Sequence, residues 1–300
     1  MVEYGCTVGF TNMIYDIVWR WAVTEQNEGP TTGARTLVSA PERDSAPVAR
    51  ELDGQVAVLT MQHRPHNFIG VALFDALIDG MQWAAEQNAR AVLLRSGLRN
   101  FCAGAEVEVL VDSAERGVAP DLDFTELLRV FDQLPIPIVA AVHGVCVGGG
   151  LELALAADLI VAAESAKIGC VEAALGLNPL MGAIQRITER AGAARAKEMA
   201  LLARRYDART LEKWNIINRV VADEQLPEAS TTLAQELANG ATVAHASTKA
   251  IVSYAVSHGL QETDEAMREL QEDFWKSNDL KVGLASLQAS GPGAARFDGR

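Results

Sequence analysis

From residue 55 to residue 172 the chain alternates between two apolar periods. "QVAVLTM" (55–61), "ARAVLLRS" (89–96) and "IPIVAAVHG" (136–144) are short and rich in β-branched residues, so they read as strands. "GVALFDALIDGMQWAAEQN" (70–88) repeats apolar residues at i, i+3, i+4 and i+7, which lines one face of a helix. "DFTELLRVFDQL" (123–134) and "LELALAADL" (151–159) also read as helices, and "IVAAESAKIGCVE" (160–172) holds one or two short strands. Strands separated by a helix cannot form a tight hairpin and pair in parallel through crossovers. The alternation therefore predicts an α/β domain with mainly parallel pairing. Past residue 182 the pattern turns almost wholly helical, with segments near 183–205, 226–240, 244–257, 262–276 and 279–289.

Residues 1–50 read differently and form an N-terminal extension. "NMIYDIVWRWAV" has the spacing of a short amphipathic helix carrying Trp19 and Trp21, and "TEQNEGPTTGARTLVSAPERDSAPVAR" reads as a linker. Either a docking arm or an over-long start of the reading frame fits this stretch. The start has no basic region and no clear cleavage site, and no apolar stretch approaches the ~20 residues of a membrane span. The formal charge is −13 over 300 residues, so general attraction to nucleic acid or to anionic membrane is disfavoured, and an anionic ligand needs local donors. The cysteines Cys6, Cys102, Cys146 and Cys170 have no CxxC spacing and read as reduced thiols of a cytoplasmic protein.

"VHGVCVGGGLELALAADLIVAAE" (142–164) places Gly148, Gly149 and Gly150 directly before a helix. Glycine tolerates positive φ and close approach, and a helix start offers unpaired N–H donors. Together they make a donor site for an oxygen that is, or becomes, negative. A tight turn between closely packed elements would use the same glycines, and the run alone does not decide. Neither the phosphate-loop signature nor the dinucleotide glycine spacing is present, and no G-x-S-x-G elbow occurs. A second small-residue turn, "RNFCAGAEVEVL" (99–110), also follows a strand, so two backbone donors could converge on one carbonyl oxygen. Glu152 and Glu172 both lie among apolar neighbours, where a carboxyl pKa rises toward neutrality and suits proton transfer. A dipole-stabilised helix start for Glu152 and a strand-end ion pair for Glu172 are the plainer alternatives. His143 reads as a structural histidine, and Cys102 and Cys146 as small core residues.

"NFCAGAEVE", then "IPIVAAVHGVCVGGGLELALAADLIVAAESAKIGCVEAALGLNP", then "ARTLEKWNIINRVV" resemble the enoyl-CoA hydratase/isomerase (crotonase) superfamily. The resemblance runs from about residue 55 to the C-terminus and is most specific in the central block. It implies a crotonase-like α/β core of repeated ββα units wound as a spiral (51–195), followed by a helical C-terminal region for oligomerisation (196–300). It also implies that the N–H groups of Ala105 and Gly149 form an oxyanion hole for a thioester carbonyl, with Glu152 and Glu172 as the catalytic pair. Substrate contacts fall on Phe68, Ala103, Gly104, Glu106, Gly148, Leu180 and Met181. Arg64 and Arg99 lie next to the two substrate-side turns, where contact with the CoA phosphates and plain surface solvation are the alternatives. The implied function is a hydratase-like lyase adding water to a 2-enoyl-CoA, in fatty acid metabolism. An isomerase of the same fold and a non-catalytic acyl-CoA binder are the alternatives. Coenzyme A enters as part of the substrate, with no metal or other cofactor, and the implied assembly is a homotrimer or hexamer.

Four departures from the family pattern bear on the site. "GAEVEV" puts Glu108 where a lysine is usual, and Val171 replaces a proline before Glu172. "NPLMGAIQR" brings bulky Leu180 and Met181 into a loop that is usually glycine-rich, which predicts an altered acyl pocket. Asn215 stands where glycine is usual, a substitution suited to a left-handed backbone position.

Overall fold

The structure, a computed structural model, describes residues 46–300. The expected helix with Trp19 and Trp21, most of the expected linker, and Cys6 lie outside the described residues. Ala105–Asp121 is a unit separate from the body formed by Ala46–Gly104 and Leu122–Arg300. That segment contains α2, Val107–Arg116, which ends at Gly117 in the left-handed conformation and carries an Arg116–Asp112 ion pair at 2.9 Å.

The body contains strands β1 (Val48–Asp53), β2 (Val56–Met61), β3 (Ala91–Ser96), β4 (Ile138–Val142), β5 (Val145–Val147), β6 (Leu159–Ala163), β7 (Lys167–Gly169), β8 (Tyr206–Asp207) and β9 (Arg219–Val221). Its helices are α1 (Val71–Glu86), α3 (Phe124–Gln133), α4 (Gly149–Ala156), α5 (Ala183–Ala191), α6 (Ala193–Leu202) and α7 (Ala208–Lys213), then α8 (Leu226–Ala238), α9 (Thr242–His258), α10 (Leu260–Leu270), α11 (Glu272–Lys276) and α12 (Asn278–Ser290). The large sheet runs in the order β1-β2-β3-β4-β6-β9. Only β1 is antiparallel to its neighbour, and every other pair in that sheet is parallel. A second, smaller sheet has the order β5-β7-β8.

Both faces are covered at β2, β3, β4 and β6, which explains why these strands are nearly all apolar, whereas the edge strand β1 is exposed from Arg50 onward. Leu59, Leu94, Ala140 and Ala162 face a core shared with α1, α3 and α4. The alternate residues Val58, Leu93, Val139 and Val161 pack with Leu226, Ala234 and Ala238 of α8. A fully buried leucine in such a layer contributes about 1.5–3 kcal/mol relative to exposure.

The chain leaves the large sheet at β4, turns, and enters the small sheet as β5 before forming α4. It repeats the move with β6, β7 and α5. These are the expected ββα units. Gly144 makes the first turn at φ 60°, where a Cβ would strike the Arg99 carbonyl oxygen. Cys102 bridges to Cys146 in parallel and so extends the small sheet toward the β3 end.

The structure departs from the sequence reading at several short elements. β1 begins at Val48, inside the stretch read as linker, and is held by its register on β2. β8 and β9 interrupt the region read as helical; strands of two and three residues are too short to show a period. The segment near 183–205 divides at Gly192, φ 83°, and the one near 262–276 divides at Gln271. Asn215 does adopt the left-handed conformation, φ 62°, just after α7.

The helical C-terminal region is tied to the core by two cations, a buried Arg90 and a half-buried Lys249. Lys249 on α9 pairs with Asp158 at 2.8 Å and donates to the carbonyls of Ile136 (3.0 Å) and Phe131 (3.4 Å). Arg90 donates to Thr242 Oγ1 at 2.7 Å, Gln55 Oε1 at 2.8 Å and the Phe297 carbonyl at 3.0 Å, and also to the Gly240 carbonyl. Among the described residues, no helix is long and apolar enough to cross a membrane.

Candidate active site

The three glycines have separate physical reasons. Gly148 sits at φ 55°, ψ −128°, a conformation that disfavours any side chain. Its own N–H donates to Gly169 at 3.1 Å, and its carbonyl accepts the Glu152 N–H at 3.1 Å. A Cβ on Gly148 would lie 3.4 Å from Glu172 Oε1 and 3.7 Å from the Gly104 Cα. Gly148 therefore lets the 102–104 turn and Glu172 approach the same corner. Gly150 is needed for packing, because a Cβ there would collide with the Cys102 carbonyl. Gly149 opens α4 ahead of the first i→i−4 hydrogen bond, so the helix supplies no acceptor for its N–H. The positive end of the helix dipole lies at the same place.

Glu152, in the first turn of α4, is 3% exposed. Its Oε1 accepts the N–H of Met181 at 2.6 Å and of Ala183 at 3.1 Å, at the start of α5. Burial raises its pKa, while these N–H groups, that of Leu180 and the Arg186 charge all pull it down. Glu172 lies at the start of a 3-10 turn, Glu172–Leu175, immediately beyond β7. Both of its carboxyl oxygens are buried, and neither makes a hydrogen bond among the described residues. Burial is the main cause that pushes its pKa to about 7; its own backbone N–H opposes the rise, and the Glu152 charge adds to it. The site thus holds two carboxyls of different character. The ionised form is favoured more at Glu152, whose Oε1 accepts two backbone hydrogen bonds, than at Glu172, whose nearby backbone N–H makes no hydrogen bond of full geometry. An acid and a base side by side suit the loss and gain of protons on one ligand.

Two asparagines that the sequence reading passed over hold the substrate-side loops. Asn67 is fully buried and donates to Ser96 Oγ at 2.8 Å and the Phe101 carbonyl at 2.9 Å. Asn100 accepts the Val145 N–H at 3.1 Å and meets His66 Nδ1 at 3.1 Å. Backbone bonds from Ala103 to His66 (3.1 Å) and from Ile69 to Gly104 (2.8 Å) complete the contact. The 103–104 turn is thereby fixed against the 66–69 loop, with Gly104 beside Gly148. A faint signal was available: each asparagine precedes a phenylalanine in the loop that follows a strand, as "HNF" and "RNF".

The remaining candidates separate. Arg64 and Arg99 are exposed on the two turns. The Arg99 charge, after burial, lowers the His66 pKa. Ala105 and Glu106 open the separate 105–121 segment, and Glu106 is the extended residue before α2. Leu180 is 41% exposed, whereas the Met181 side chain is buried in the core at 2%. Met181 reaches the site through its backbone N–H. His143 binds the Leu98 carbonyl at 2.8 Å. Cys102, Cys146 and Cys170 are buried free thiols. Among the described residues, no group of three or more His, Cys, Asp or Glu could hold a metal ion.

The pattern of the enoyl-CoA hydratase/isomerase family matches residues 51–290. A carnitinyl-CoA dehydratase of Proteus mirabilis (strain HI4320) is 37% identical over 183 residues, covering 59% of this chain and 68% of that protein. A carnitinyl-CoA dehydratase of Salmonella typhi is 40% identical over 166 residues, covering 54% and 62%. Among solved structures, an enoyl-CoA hydratase subunit I of Geobacillus kaustophilus HTA426 superposes with a TM-score of 0.77 at 28% identity, over 85% of this chain and 98% of that one. With the ββα spiral, the glycine-opened helix and the paired glutamates, these likenesses show that the chain belongs to the enoyl-CoA hydratase/isomerase family.

Proposed function

We propose that the chain adds water reversibly across the C2=C3 double bond of a 2-enoyl-CoA. The chain is an enzyme of the hydratase–dehydratase type, a lyase. The observation that carries the reading is the buried, unpartnered Glu172 beside a Glu152 held by two N–H groups. In the hydration direction Glu152 accepts a proton from water as the water oxygen bonds to C3. The π electrons move toward the thioester, and its carbonyl oxygen takes on enolate charge. The Gly149 N–H stabilises that charge, and the family positions assign Ala105 as the second donor. Glu172, in its acid form, delivers a proton to C2. Glu152 ends protonated and Glu172 ionised, and exchange with solvent resets the pair. Coenzyme A is the handle of the substrate, with Arg64 and Arg99 as phosphate contacts, and no separate cofactor enters the scheme. A chain that only bound acyl-CoA would have no use for two poorly solvated carboxyls.

The acyl group is best read as apolar and uncharged. Residues 173–185 contain no charged side chain, and Leu175, Leu177 and Leu180, in the segment that runs from Glu172 to the N–H donors of Glu152, are 53%, 37% and 41% exposed. Medium-chain or branched 2-enoyl-CoA thioesters are therefore expected to outperform crotonyl-CoA and carnitinyl-CoA. One pocket methylene contributes about 1–3 kcal/mol of discrimination, so the preference should be graded. Measuring kcat/KM along a chain-length series, for wild type and Leu180→Gly, tests this. An optimum at crotonyl-CoA that the variant leaves unchanged would refute it.

A homotrimer or hexamer built through the C-terminal helices fits the exposure of Trp275, Leu284 and Leu287, at 63%, 52% and 51%. Light scattering at micromolar concentration is expected to show a multiple of three chains. A persistent monomer would contradict it.

A further inference from the structure

α4 has eight residues and carries both Gly149 and Glu152, so its placement sets two parts of the site together. α5 lies beside it and grips it at two places. The start of α5 supplies the Met181 and Ala183 N–H groups to Glu152. The last turn of α5 carries Arg190, whose guanidinium reaches the other end of α4. There it donates to the carbonyls of Ala157 (3.1 Å) and Leu155 (3.3 Å), and to that of Ile216 (3.1 Å), just ahead of β9. The last carbonyls of a helix have no partner within it, and its C-terminal end is the negative end of its dipole. A planar cation with several donors suits both needs. Leu155, Ala157 and Ile216 are 2%, 2% and 0% exposed, so removing Arg190 would leave buried carbonyls short of a donor.

We infer that Arg190 is a positioning residue for the thioester chemistry: by holding the far end of α4 it sets where the Gly149 N–H and the Glu152 carboxylate stand. The carbonyls left by its loss recover partners only if the end of α4 shifts or water enters. A helix of two turns moves as one body, so the shift reaches Gly149. This inference rests on the hydratase reading for its effect on turnover, but not for its effect on carbonyl polarisation.

The test uses the full chain with Arg190→Met and Arg190→Lys. One readout is the red shift of a chromophoric thioester, cinnamoyl-CoA, on binding, which reports polarisation of the carbonyl by backbone donors. The other is kcat with a medium-chain 2-enoyl-CoA, beside the Kd of its saturated analogue. Arg190→Met is expected to lose most of the red shift and to lower kcat by about 10- to 100-fold, with Kd changed by less than about 3-fold. Arg190→Lys, which keeps the charge but not the fork of donors, should fall between. A merely structural role would lower stability and leave the red shift of the folded variant intact, and that result would overturn the inference. If Arg190→Met does not fold, wild-type red shift and kcat in Arg190→Lys overturn it equally. No red shift in wild type also overturns it. A wild-type red shift without any hydration removes the hydratase reading, while the variants' red shift still decides the role of Arg190.

Discussion

Glu172→Gln is expected to abolish hydration and, at the same time, to remove a pH-dependent weakness of the fold. The amide has nearly the shape of the carboxyl but cannot give up the proton that C2 requires. Its kcat should fall by about three orders of magnitude or more, while the Kd of a saturated acyl-CoA stays within about 3-fold. Glu152→Gln should lose a comparable amount for the opposite reason, since it can no longer accept a proton from water. The stability effect has a definite direction. The Glu172 pKa is about 7 in the folded protein, above the ordinary value of 4.5. The folded state therefore binds the proton more tightly than the unfolded chain. Glu172 favours the folded state fully at pH below its unfolded pKa, and this contribution is lost as pH rises through about 7. The stability difference between wild type and Glu172→Gln should thus move in favour of the variant between pH 5 and 8, by about 1–3 kcal/mol. Comparing the change with pH cancels any constant penalty for the buried amide. Urea unfolding at both pH values supplies the measurement. A variant with more than about a tenth of wild-type kcat would remove Glu172 from its role. Parallel stability profiles would show that its carboxyl is not held near neutrality.

Gly150→Ala is expected to be the most damaging single-methyl change in the site. The added Cβ would occupy the place of the Cys102 carbonyl oxygen, which is backbone and cannot rotate away. That carbonyl also accepts the Val147 N–H at 3.2 Å, so yielding would break the link between the 102–104 turn and β5. The two elements that meet at Gly150 are the ones that bring Gly104 to Gly148. Overpacking of this kind costs about 1–3 kcal/mol of stability. Displacing an oxyanion donor costs about 10²–10³ in kcat. Both losses are expected here, read by thermal unfolding and by turnover of the same preparation. By contrast, a Cβ at Gly54 meets nothing within 4 Å, though φ there is +61°. Gly54→Ala should therefore leave kcat unchanged. Wild-type kcat in folded Gly150→Ala would mean that the close approach to Cys102 is irrelevant to the reaction.

The parts legible in the sequence were those written in local pattern. The strand and helix periods from 55 to 172 are each carried by a continuous run, and the structure places the corresponding elements within a few residues of the expected limits. The glycine run showed that something must come close to a helix start. It did not show that Gly150 answers to Cys102 and Gly148 to Glu172, because those neighbours come from distant segments. The apolar surroundings of both glutamates were visible, but their difference was not. It depends on Met181 and Ala183, some thirty positions from Glu152, presenting N–H groups to one carboxyl and not the other. Met181 shows the limit of reading side chains from a motif. Its bulk suggested a pocket wall, yet the side chain fills the core and the backbone faces the site. β8 and β9 were missed because two or three residues carry no period, and their pairing is set by sheet edges formed much earlier in the chain.

The central claim is that the paired glutamates move the protons of water addition to a CoA thioester. It is tested most directly by incubating the full chain with a medium-chain 2-enoyl-CoA in water labelled with heavy oxygen. Loss of the conjugated-thioester absorbance is followed, and the product is examined by mass spectrometry. The expected result is loss of the absorbance with one labelled oxygen gained per thioester, abolished in both Glu152→Gln and Glu172→Gln. A product that gains no oxygen, or turnover that survives in either variant, would contradict it.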